Sequence, residues 1–402
     1  MSESAASRAR HCLLERERDA LVALRTELHQ HPELSWKEER TATRLTHALE
    51  SIGAADIRRV AGTGVVARIP GLHTHGPVTA IRGDIDALPI QEATGVPWAS
   101  STPGVMHACG HDVHATWAIG AAMLLARQPG LGDVIVVLQP AEEVGAGAAA
   151  MSQSGALDGV EAIFGGHVDM RFPVGQVVAE PGALAASADT FSIEVIGRGA
   201  HGARPHESAD PIVGAAAIIA ALQTIVARRI DPAAAAVVTV GSVHGGIAPN
   251  VIPESVLLTG TLRAMLPSIR AALHEQVRDL ATSIAHAYGV TANVTLEHGT
   301  PPIVNPTREA DWARRAAARI LGDEAIVPFG ITNMAGEDFA FYLEKIPGAF
   351  LRIGAREPSG NPMAAHTPRF LPSEESIFVG SAVLAECART AAEGLMRQKD
   401  SA

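Results

Sequence analysis

The chain contains 402 residues, of which 47% are hydrophobic and 19% charged, and its formal net charge is −11. A chain of this length exceeds one ordinary hydrophobic core, so we expect two or three domains in a globular protein. The negative charge disfavours nucleic acids and anionic membranes as partners, and three cysteines far apart in sequence do not suit a disulfide framework.

The N-terminal segment lacks the apolar core of an export signal. It reads MSESAASRARHCLLERERD, which is polar and charged, and it therefore predicts a cytoplasmic protein. An alanine-rich stretch over 209–226 is interrupted by Asp210, Pro211 and Gln223, so we predict no membrane span and no membrane partner.

Helical and strand patterns alternate along the first half of the chain, which predicts an α/β sheet with helices on its faces. Amphipathic spacing predicts a helix over 14–30. Ser35 and Glu38 then match a capping box that would open a second helix ending near Ile52. Strands are predicted over 64–69, 78–85, 133–138 and 160–164, with a further helix over 115–127.

Acidic and imidazole side chains follow the last three of these strands. Asp84 and Asp86 come after the first of the three, Glu142 and Glu143 after the next, and His167 after the last. In open α/β sheets, ligands bind at the carboxyl ends of the strands. We therefore expect these side chains to be better candidates for a functional site than the same residue types elsewhere.

The pattern changes near residue 190. Strand, helix, strand, strand, helix and strand are predicted over 191–195, 211–228, 236–243, 255–263, 267–287 and 291–296. This β-α-β-β-α-β order is the ferredoxin-like split motif. It predicts a domain over 188–297 that is inserted into a mixed-sheet domain formed by residues 1–187 and 298–402. In the last part, helices over 308–321 and 374–396 flank a strand over 349–353.

The eight residues from His107 to His114, HACGHDVH, have the composition of a metal site. A thiolate is a soft ligand and an imidazole a borderline one, so Cys109 and His111 suit zinc or a similar first-row ion better than calcium or magnesium. On an extended or looping segment, side chains two positions apart can converge on one centre. The alternative is a packed cysteine beside solvated histidines.

The adjacent carboxylates Glu142 and Glu143 favour hydrolytic chemistry. Neighbouring side chains on a strand or turn point in different directions, so one carboxylate can bind a metal while the other faces a bound water. Metal-assisted hydrolysis needs both, because the metal acidifies water and the free carboxylate takes its proton. The alternative is two solvated acids in a turn before Gly145 and Gly147.

Nine segments spread over nearly the whole chain match one family. They are HQHPELSWKE from His29, IRGDIDALPIQE from Ile81, MHACGHDVH from Met106, QPAEEVGAGA from Gln139, GGHVDM from Gly165, GRGAHGARPH from Gly197, APNVIPES from Ala248, MAGEDFAFYLEKIPGAF from Met334 and HTPRF from His366. In these segments the chain resembles the aminoacylase and carboxypeptidase family of dinuclear metallohydrolases. The resemblance is specific to its amidohydrolase branch of hippurate hydrolases, N-acyl-amino-acid deacylases and auxin-conjugate hydrolases.

The resemblance implies a catalytic domain that holds two divalent metal ions, zinc or manganese, with cobalt or nickel as further candidates. The metal ligands that it implies are Cys109, His111, Glu143, His167 and His366.

The resemblance also implies the residues that support the metals. Glu142 falls on the general base of the family, and Asp86 matches an acid behind the metals that would orient His111. Relatives outside the branch carry a histidine ligand two positions before that acid. This chain has Asp84 there, and Cys109 would supply the compensating ligand.

For the inserted domain, the resemblance implies a lid and a dimer contact. Relatives dimerise through it and lend a histidine, matched here by His201, to the active site of the other subunit, where it stabilises the oxyanion. Asn250 and Arg263 match the pair that binds the substrate carboxylate. A structural salt bridge would explain Arg263 equally well.

The function implied is hydrolysis of an N-acyl amino acid to a carboxylate and a free amino acid, catalysed by a homodimer. A dipeptidase or an aromatic-amine deaminase using the same centre is an alternative, and so is a metal-binding protein without turnover. The pair Glu142 and Glu143 disfavours the last of these, because a binding protein needs no base beside the ligand.

Overall fold

The structure is a computed structural model that describes residues 3–400. It divides into two compact units. The large unit comprises residues 3–182, 305–331 and 338–400, and the inserted unit comprises Ala183–Val304 together with Thr332–Glu337. The predicted domain limits at 188 and 297 stay a prediction.

Helices and strands alternate along the described chain. The helices are α1 Ala5–His11, α2 Glu15–Gln30, α3 Glu39–Ile52, α4 His111–Arg127, α5 Gly147–Gln153, α6 Pro211–Arg229, α7 Pro267–Ala287, α8 Thr307–Leu321, α9 Ala340–Leu343 and α10 Glu375–Lys399. The strands are β1 Ala55–Val60, β2 Gly64–Ile69, β3 Thr79–Asp84, β4 Val134–Gln139, β5 Ala162–Pro173, β6 Val177–Val178, β7 Gly182–Ala185, β8 Ala188–Ile196, β9 Ala200–His201, β10 Ala236–Gly245, β11 Val251–Ile252, β12 Ser255–Ala264, β13 Thr291–Thr300, β14 Ile303–Asn305 and β15 Gly348–Arg356.

A mixed seven-stranded sheet forms the centre of the large unit, with the order β1-β2-β4-β3-β5-β15-β6. Strands β4, β3, β5 and β15 run parallel to one another, and the remaining neighbours pair antiparallel. Every residue of β3 is buried. Because successive side chains of a strand point to opposite faces, both faces of the sheet are covered at β3. The predicted mixed α/β fold is confirmed.

Helices α4 and α10 of the large unit approach closely because small residues separate them. Gly120 of α4 lies against Ser381, and Gly380 of α10 lies against the ring of Trp117. A methyl group added at Gly380 would stand 2.2 Å from that ring, so a larger residue there would force the helices apart. Trp117 has no exposed surface and belongs to the main core of the unit. This packing fixes the helix whose first residue is His111.

The inserted unit contains a four-stranded antiparallel sheet with the order β10-β12-β8-β13. This is the strand order of the ferredoxin-like split motif. Helices α6 and α7 bury apolar side chains such as Ile218, Leu222 and Val277 in its separate core. Strand β10 forms one edge of the sheet.

Helix α6 is long and apolar enough to span a membrane by length and composition, and no other helix of residues 3–400 is. One third of its apolar window is buried within the protein. Core helices of soluble proteins also meet these criteria, so the predicted absence of a membrane partner stays a prediction.

The capping box predicted for helix α3 is wrong. Ser35 donates its hydroxyl to Asp86, and Glu38 accepts the backbone N–H of Ala141. Glu33 caps the helix instead, because its carboxylate accepts backbone N–H groups of the first turn. The local spacing was right for a cap, but more distant groups in the folded chain bind both side chains.

Candidate metal centre

The structure brings together the side chains that the motifs single out in the large unit. They are Asp86 after β3, Glu142 and Glu143 after β4, His167 within β5, Cys109 just before α4, His111 at the start of α4, and His366 in the loop before α10. The carboxyl ends of the parallel strands therefore supply much of the site, as is usual for open α/β sheets.

Three overlapping groups of potential metal ligands define the centre. The groups are Cys109, His111 and His167; Cys109, Glu143 and His366; and His111, Glu142 and Glu143. Within each group the three ligand atoms lie within 4.8 Å of one another. Shared members join the groups into one cluster that contains thiol, imidazole and carboxylate donors.

The closest contacts within the cluster join unlike donors. Cys109 Sγ lies 3.2 Å from His167 Nε2, and His366 Nε2 lies 3.4 Å from Glu143 Oε2. His111 Nε2 is 3.8 Å from a carboxylate oxygen of Glu142 and 3.8 Å from one of Glu143. The donor atoms thus surround a small common volume.

Hydrogen bonds fix the orientation of two imidazoles in the centre. His111 Nδ1 lies 2.9 Å from the carbonyl oxygen of Asp86 and 3.2 Å from its carboxylate, and His167 Nδ1 lies 2.7 Å from the carbonyl oxygen of Val168. A carbonyl oxygen can only accept, so each Nδ1 carries the hydrogen. In the neutral rings, both Nε2 lone pairs are then available to a metal.

Two buried atoms that could bind a metal in the centre have no hydrogen-bond partner within the described chain. Among residues 3–400, neither His111 Nε2 nor Glu143 Oε1 has a hydrogen-bond partner. Buried polar atoms normally have partners, because an unpaired one loses its hydration without compensation. The two atoms belong to the same ligand group and are 3.8 Å apart. The donor set and its unsatisfied atoms therefore fit bound metal ions.

Burial opposes the anionic forms of the candidate ligands. It raises the pKa of the Cys109 thiol and the pKa of the Glu143 carboxyl, because each anion would be held away from water. Burial also lowers the pKa of His167 well below its usual range, and the neighbouring His114 and Arg352 lower it further. A divalent cation would offset the desolvation of the two anions, and a neutral His167 is the form that binds metal.

A fully buried charged network supports the segment with Glu142. Arg82 binds Asp84, donates to Gln139 Oε1 at 2.8 Å and donates to Asp338 at 3.1 Å. Gln139 also donates to Asp338 at 2.8 Å, and the backbone N–H of Asp338 lies 3.5 Å from Glu142 Oε1. None of the four side chains in the network is exposed. The network ties the end of β4 to a segment that is distant in sequence.

Both carboxylate oxygens of Asp84, two positions before Asp86, are bound within the protein. One of them binds Arg82, and the other accepts the Nδ1–H of His114 at 2.6 Å. His114 Nε2 in turn accepts the backbone N–H of Val168 at 3.0 Å, next to His167. The Asp84 carboxylate therefore supports the strand that carries His167.

A second buried network holds the first turn of α4. Asp112 accepts hydrogen bonds from Arg25 and from His29 Nδ1, each at 2.8 Å. The other ring nitrogen of His29 lies 3.2 Å from Glu92. Burial lowers the pKa of His29, but the two carboxylates outweigh burial and raise it above its usual value. The turn that begins with His111 is thereby anchored to α2.

Two carboxylates from outside the turn accept the backbone N–H groups of the residues on either side of Glu142. The N–H of Ala141 donates to Glu38 at 3.0 Å, and the N–H of Glu143 donates to Asp86 at 3.1 Å. Ala141 has a φ of 53°, in the left-handed region that residues other than glycine seldom adopt.

His201 and Asn250 lie close together in the inserted unit. Both are exposed, and the N–H of Gly202 donates to the carbonyl oxygen of Asn250 at 2.8 Å. The N–H of Ala203 donates to His201 Nδ1 at 3.0 Å. A neutral His201 ring therefore carries its hydrogen on Nε2 and presents a donor to a ligand.

Arg263 lies half-buried on β12 of the inserted unit. Its guanidinium contacts the carbonyl oxygen of Leu262 at 3.4 Å, and no carboxylate of residues 3–400 forms a salt bridge with it. The salt-bridge explanation of Arg263 therefore finds no partner in the described chain.

A separate cluster in the inserted unit contains Asp189, His274 and His298. Arg270 binds both oxygens of Asp189 at 2.7 and 2.9 Å, His274 donates at 2.8 Å, and the N–H of Gly299 donates at 3.0 Å. These four donors saturate the carboxylate, and the permanent charge of Arg270 opposes a cation. The cluster is a structural link between β8, α7 and β13.

Comparison with known proteins assigns the family. The model of peptidase family M20/M25/M40 matches residues 80–390. The chain belongs to this family. The resemblance drawn from the nine segments is confirmed, and the M20 protein is a hydrolase.

Relatives of this M20 protein belong to the amidohydrolase branch. An N-acetyl-L-cysteine deacetylase of Bacillus subtilis is 41% identical over 371 residues, which cover 92% of this chain and 87% of the relative. An IAA-amino acid hydrolase of Arabidopsis thaliana, ILR1-like 5, is 39% identical over 377 residues, which cover 92% of this chain and 86% of the relative.

A solved structure shares the fold of the M20 protein. The YxeP protein of Bacillus subtilis, described as a dinuclear metal binding peptidase of the M20 family, is 38% identical with a TM-score of 0.83. The match covers 94% of this chain and 99% of YxeP.

Sequence reasoning missed several residues that shape the metal centre of this M20 protein. Arg82 lies two positions before Asp84 and four before Asp86, on a strand whose other residues are mostly apolar. A charged residue in an apolar strand indicates a buried ion pair, because side chains on both faces of such a strand are buried. The alternation of side chains along this strand could therefore have identified Arg82. Gln139, a polar residue that ends an apolar strand, carried a similar signal. Nothing in the local sequence identified Asp338 as their common partner.

Proposed function

We propose that the M20 protein hydrolyses the amide bond of N-acyl amino acids and releases a carboxylate and a free amino acid. The convergence of the two unsatisfied atoms, His111 Nε2 and Glu143 Oε1, beside the carboxylate of Glu142 carries this proposal. It places a candidate proton acceptor next to a candidate metal ligand. The deacetylase and the IAA-amino acid hydrolase among the relatives support the substrate class.

Cys109, His111, Glu143, His167 and His366 would hold two divalent ions, with zinc or manganese favoured and cobalt or nickel as further candidates. When bound, the ions supply Lewis acidity that polarises the amide carbonyl and lowers the pKa of water.

Glu142 moves the protons in the proposed reaction. Its carboxylate takes a proton from the attacking water and returns it to the leaving amide nitrogen. Its side chain is 11% exposed, so it is accessible without being surrounded by bulk water. Asp86 keeps the ring of His111 in one tautomer through the contact to Nδ1.

The inserted unit supplies the proposed substrate contacts. His201 presents its Nε2–H to the oxygen that becomes negative as the carbonyl is attacked. Arg263 and Asn250 bind the α-carboxylate of the amino acid, which sets the register of the scissile bond. The absence of a salt bridge to Arg263 within the described chain supports a carboxylate ligand for it.

We also propose that the protein is a cytoplasmic homodimer that associates through the inserted unit. His201 of each subunit would then contribute to the active site of the other subunit. Apolar side chains of this unit are exposed on α6 and around β10, among them Ile212, Val213, Val243 and Ile247. Such surface favours a protein contact. Analytical ultracentrifugation should give twice the chain mass of 41.8 kDa, and a monomer at micromolar concentration would contradict the dimer.

Replacing Glu142 tests the proposal. We expect Glu142→Gln to retain its metal content and to lose at least about a hundredfold in kcat, because the amide cannot accept the proton. The matched control is Glu344→Gln, an exposed position outside the centre. Turnover by Glu142→Gln at the rate of the unsubstituted enzyme would contradict the mechanism.

A substrate panel tests the specificity. Acetyl-, benzoyl- and indoleacetyl-amino acids, dipeptides and aromatic amines are offered to enzyme reloaded with zinc, manganese, cobalt or nickel, and both products are identified. Hydrolysis of dipeptides alone would favour a dipeptidase, and release of ammonia from aromatic amines alone would favour the deaminase. Stoichiometric metal without hydrolysis of any compound would favour a binding protein.

A further inference from the structure

Glu38 contacts the turn that carries Glu142, although the proposed chemistry does not use it. It lies at the start of α3, has no exposed surface and does not cap its own helix. One carboxylate oxygen accepts the hydroxyl of Thr63, and the other accepts the backbone N–H of Ala141 at 3.0 Å. Burying a carboxylate is unfavourable unless hydrogen bonds compensate it, and these two bonds do so.

The backbone at Ala141 needs such support. Its φ of 53° brings Cβ close to the following carbonyl oxygen, so alanine disfavours this conformation. Residues in such conformations persist where their surroundings hold them. The carbonyl oxygen of Ala141 accepts the N–H of Gly147 at 3.1 Å, and that of Glu142 accepts the N–H of Gly145 at 2.7 Å. Backbone hydrogen bonds therefore close the turn after Glu142. At the start of the turn, Glu38 holds the N–H of Ala141.

The N–H of Glu143, on the other side of Glu142, is also linked to residues 35–38, through Asp86. Asp86 Oδ2 accepts the N–H of Glu143 at 3.1 Å and also accepts the hydroxyl of Ser35 at 2.8 Å. Residues 35–38 thus reach the backbone N–H groups of the two residues that flank Glu142, Ala141 directly through Glu38 and Glu143 indirectly through Ser35 and Asp86. This arrangement explains why neither side chain serves as a helix cap.

We propose that Glu38 is a positioning residue for Glu142. Its hydrogen bond to the Ala141 N–H holds the left-handed turn that directs the Glu142 carboxylate, and the inference rests on the proposed role of Glu142 as general base. Among the described contacts, Glu38 binds none of the candidate metal ligands. Its loss should therefore slow the chemical step without weakening substrate binding.

Substitutions at Glu38 separate positioning from folding. We expect Glu38→Ala to lower kcat by roughly a hundredfold, as a displaced catalytic group does, with KM within about twofold. Glu38→Gln keeps an acceptor oxygen for the Ala141 N–H and should recover most of this loss. Glu39→Ala, at an exposed neighbouring carboxylate, is the control and should leave kcat unchanged.

A second substitution tests the turn itself. Glycine adopts positive φ readily, so Ala141→Gly should keep kcat close to that of the unsubstituted enzyme. In the Glu38→Ala background it should restore kcat by about tenfold, because the turn no longer needs the hydrogen bond to stay left-handed. A crystal structure of Glu38→Ala should show Ala141 at negative φ, and the structure of the double variant should show the introduced glycine at positive φ.

The outcomes distinguish this inference from the proposed function. If Glu142→Gln is inactive and folded Glu38→Ala keeps kcat within about threefold of the unsubstituted enzyme, the positioning role is wrong and the mechanism stands. Equal losses in Glu38→Gln and Glu38→Ala, or an unchanged φ at Ala141 in Glu38→Ala, would also overturn it. Full activity of Glu142→Gln would instead overturn the proposed function.

Discussion

The two units hold their candidate residues in opposite ways. In the large unit, His111, His167 and the turn around Glu142 are fixed by hydrogen bonds to buried carboxylates and carbonyl groups. In the inserted unit, His201 and Asn250 are exposed, and Arg263 has no carboxylate partner in the described chain. The difference teaches that contacts formed on folding order the first set, whereas the second set has no equivalent buried partners within the described chain.

The largest expected effect tests the buried side of this comparison. Arg82→Met should reduce the free energy of unfolding by about 3–5 kcal/mol, because it leaves Asp84 and Asp338 buried without their cation. The control Arg314→Met removes an exposed pair with Asp311 and should cost less than about 1 kcal/mol. Urea unfolding followed by circular dichroism measures both. Equal effects would show that the network is not what orders the large unit.

The next effect tests the exposed side. His201→Ala should lower kcat by about 10²–10³-fold, the usual result of losing an oxyanion donor, while metal content and urea stability stay unchanged. His206→Ala in the same exposed loop is the control. Mixing His201→Ala with Glu142→Gln after dissociation should restore activity, because one hybrid site would then hold both residues. If re-associated dimers recover no activity, the proposal that His201 of one subunit acts in the active site of the other is contradicted.

A smaller effect is expected at Arg263. Arg263→Ala should raise KM by about 10–100-fold with little change in kcat, since a hydrogen bond to a charged group contributes about 1.5–3 kcal/mol. A substrate whose α-carboxylate is replaced by a carboxamide should show no such difference between the two enzymes. A KM increase for both substrates would assign Arg263 a structural role.

The smallest effect concerns the pH dependence of the inserted unit. Burial raises the pKa of Asp189, but hydrogen bonds from Arg270 and His274 outweigh burial and hold the pKa below its usual range. The folded pKa then lies below the unfolded one, so this stabilisation is complete above about pH 4 and declines as the pH falls through the folded value.

Asp189→Asn measures this contribution. It should remove about 2 kcal/mol at neutral pH, the size of a charge-assisted hydrogen bond, and the difference from the unsubstituted protein should shrink on acidification. Asp279→Asn, at an exposed position on α7, is the control. A difference that does not depend on pH would show that the pKa of Asp189 is the same in the folded and unfolded chain.

Much of the fold was predictable because its signals are periodic. Helix α7 begins and ends at the predicted residues, and the strands around Phe164 and Ile353 were recognised by their apolar composition. The strand ends also identified the acids that the structure brings together, because parallel strands align their carboxyl ends.

What the sequence did not predict are contacts between side chains distant along the chain. Ser35 and Glu38 satisfy a local capping pattern, yet they bind Asp86 and Ala141. Local spacing cannot foresee a partner that only folding brings near. The left-handed conformation of Ala141 is a further example, because the position holds neither glycine nor asparagine, the residues that usually indicate this conformation.

The position of β15 between β5 and β6 bears on how the chain matures during synthesis. About 200 residues separate His167 from His366, and ribosomes add about 5–20 residues per second, so roughly 10–40 s pass before the last predicted ligand is made. Until β15 arrives, one edge of β5 has no neighbour there. A nascent chain at that stage carries four of the five predicted ligands beside an open apolar strand, and unpaired strand edges of this kind are prone to pair with other chains.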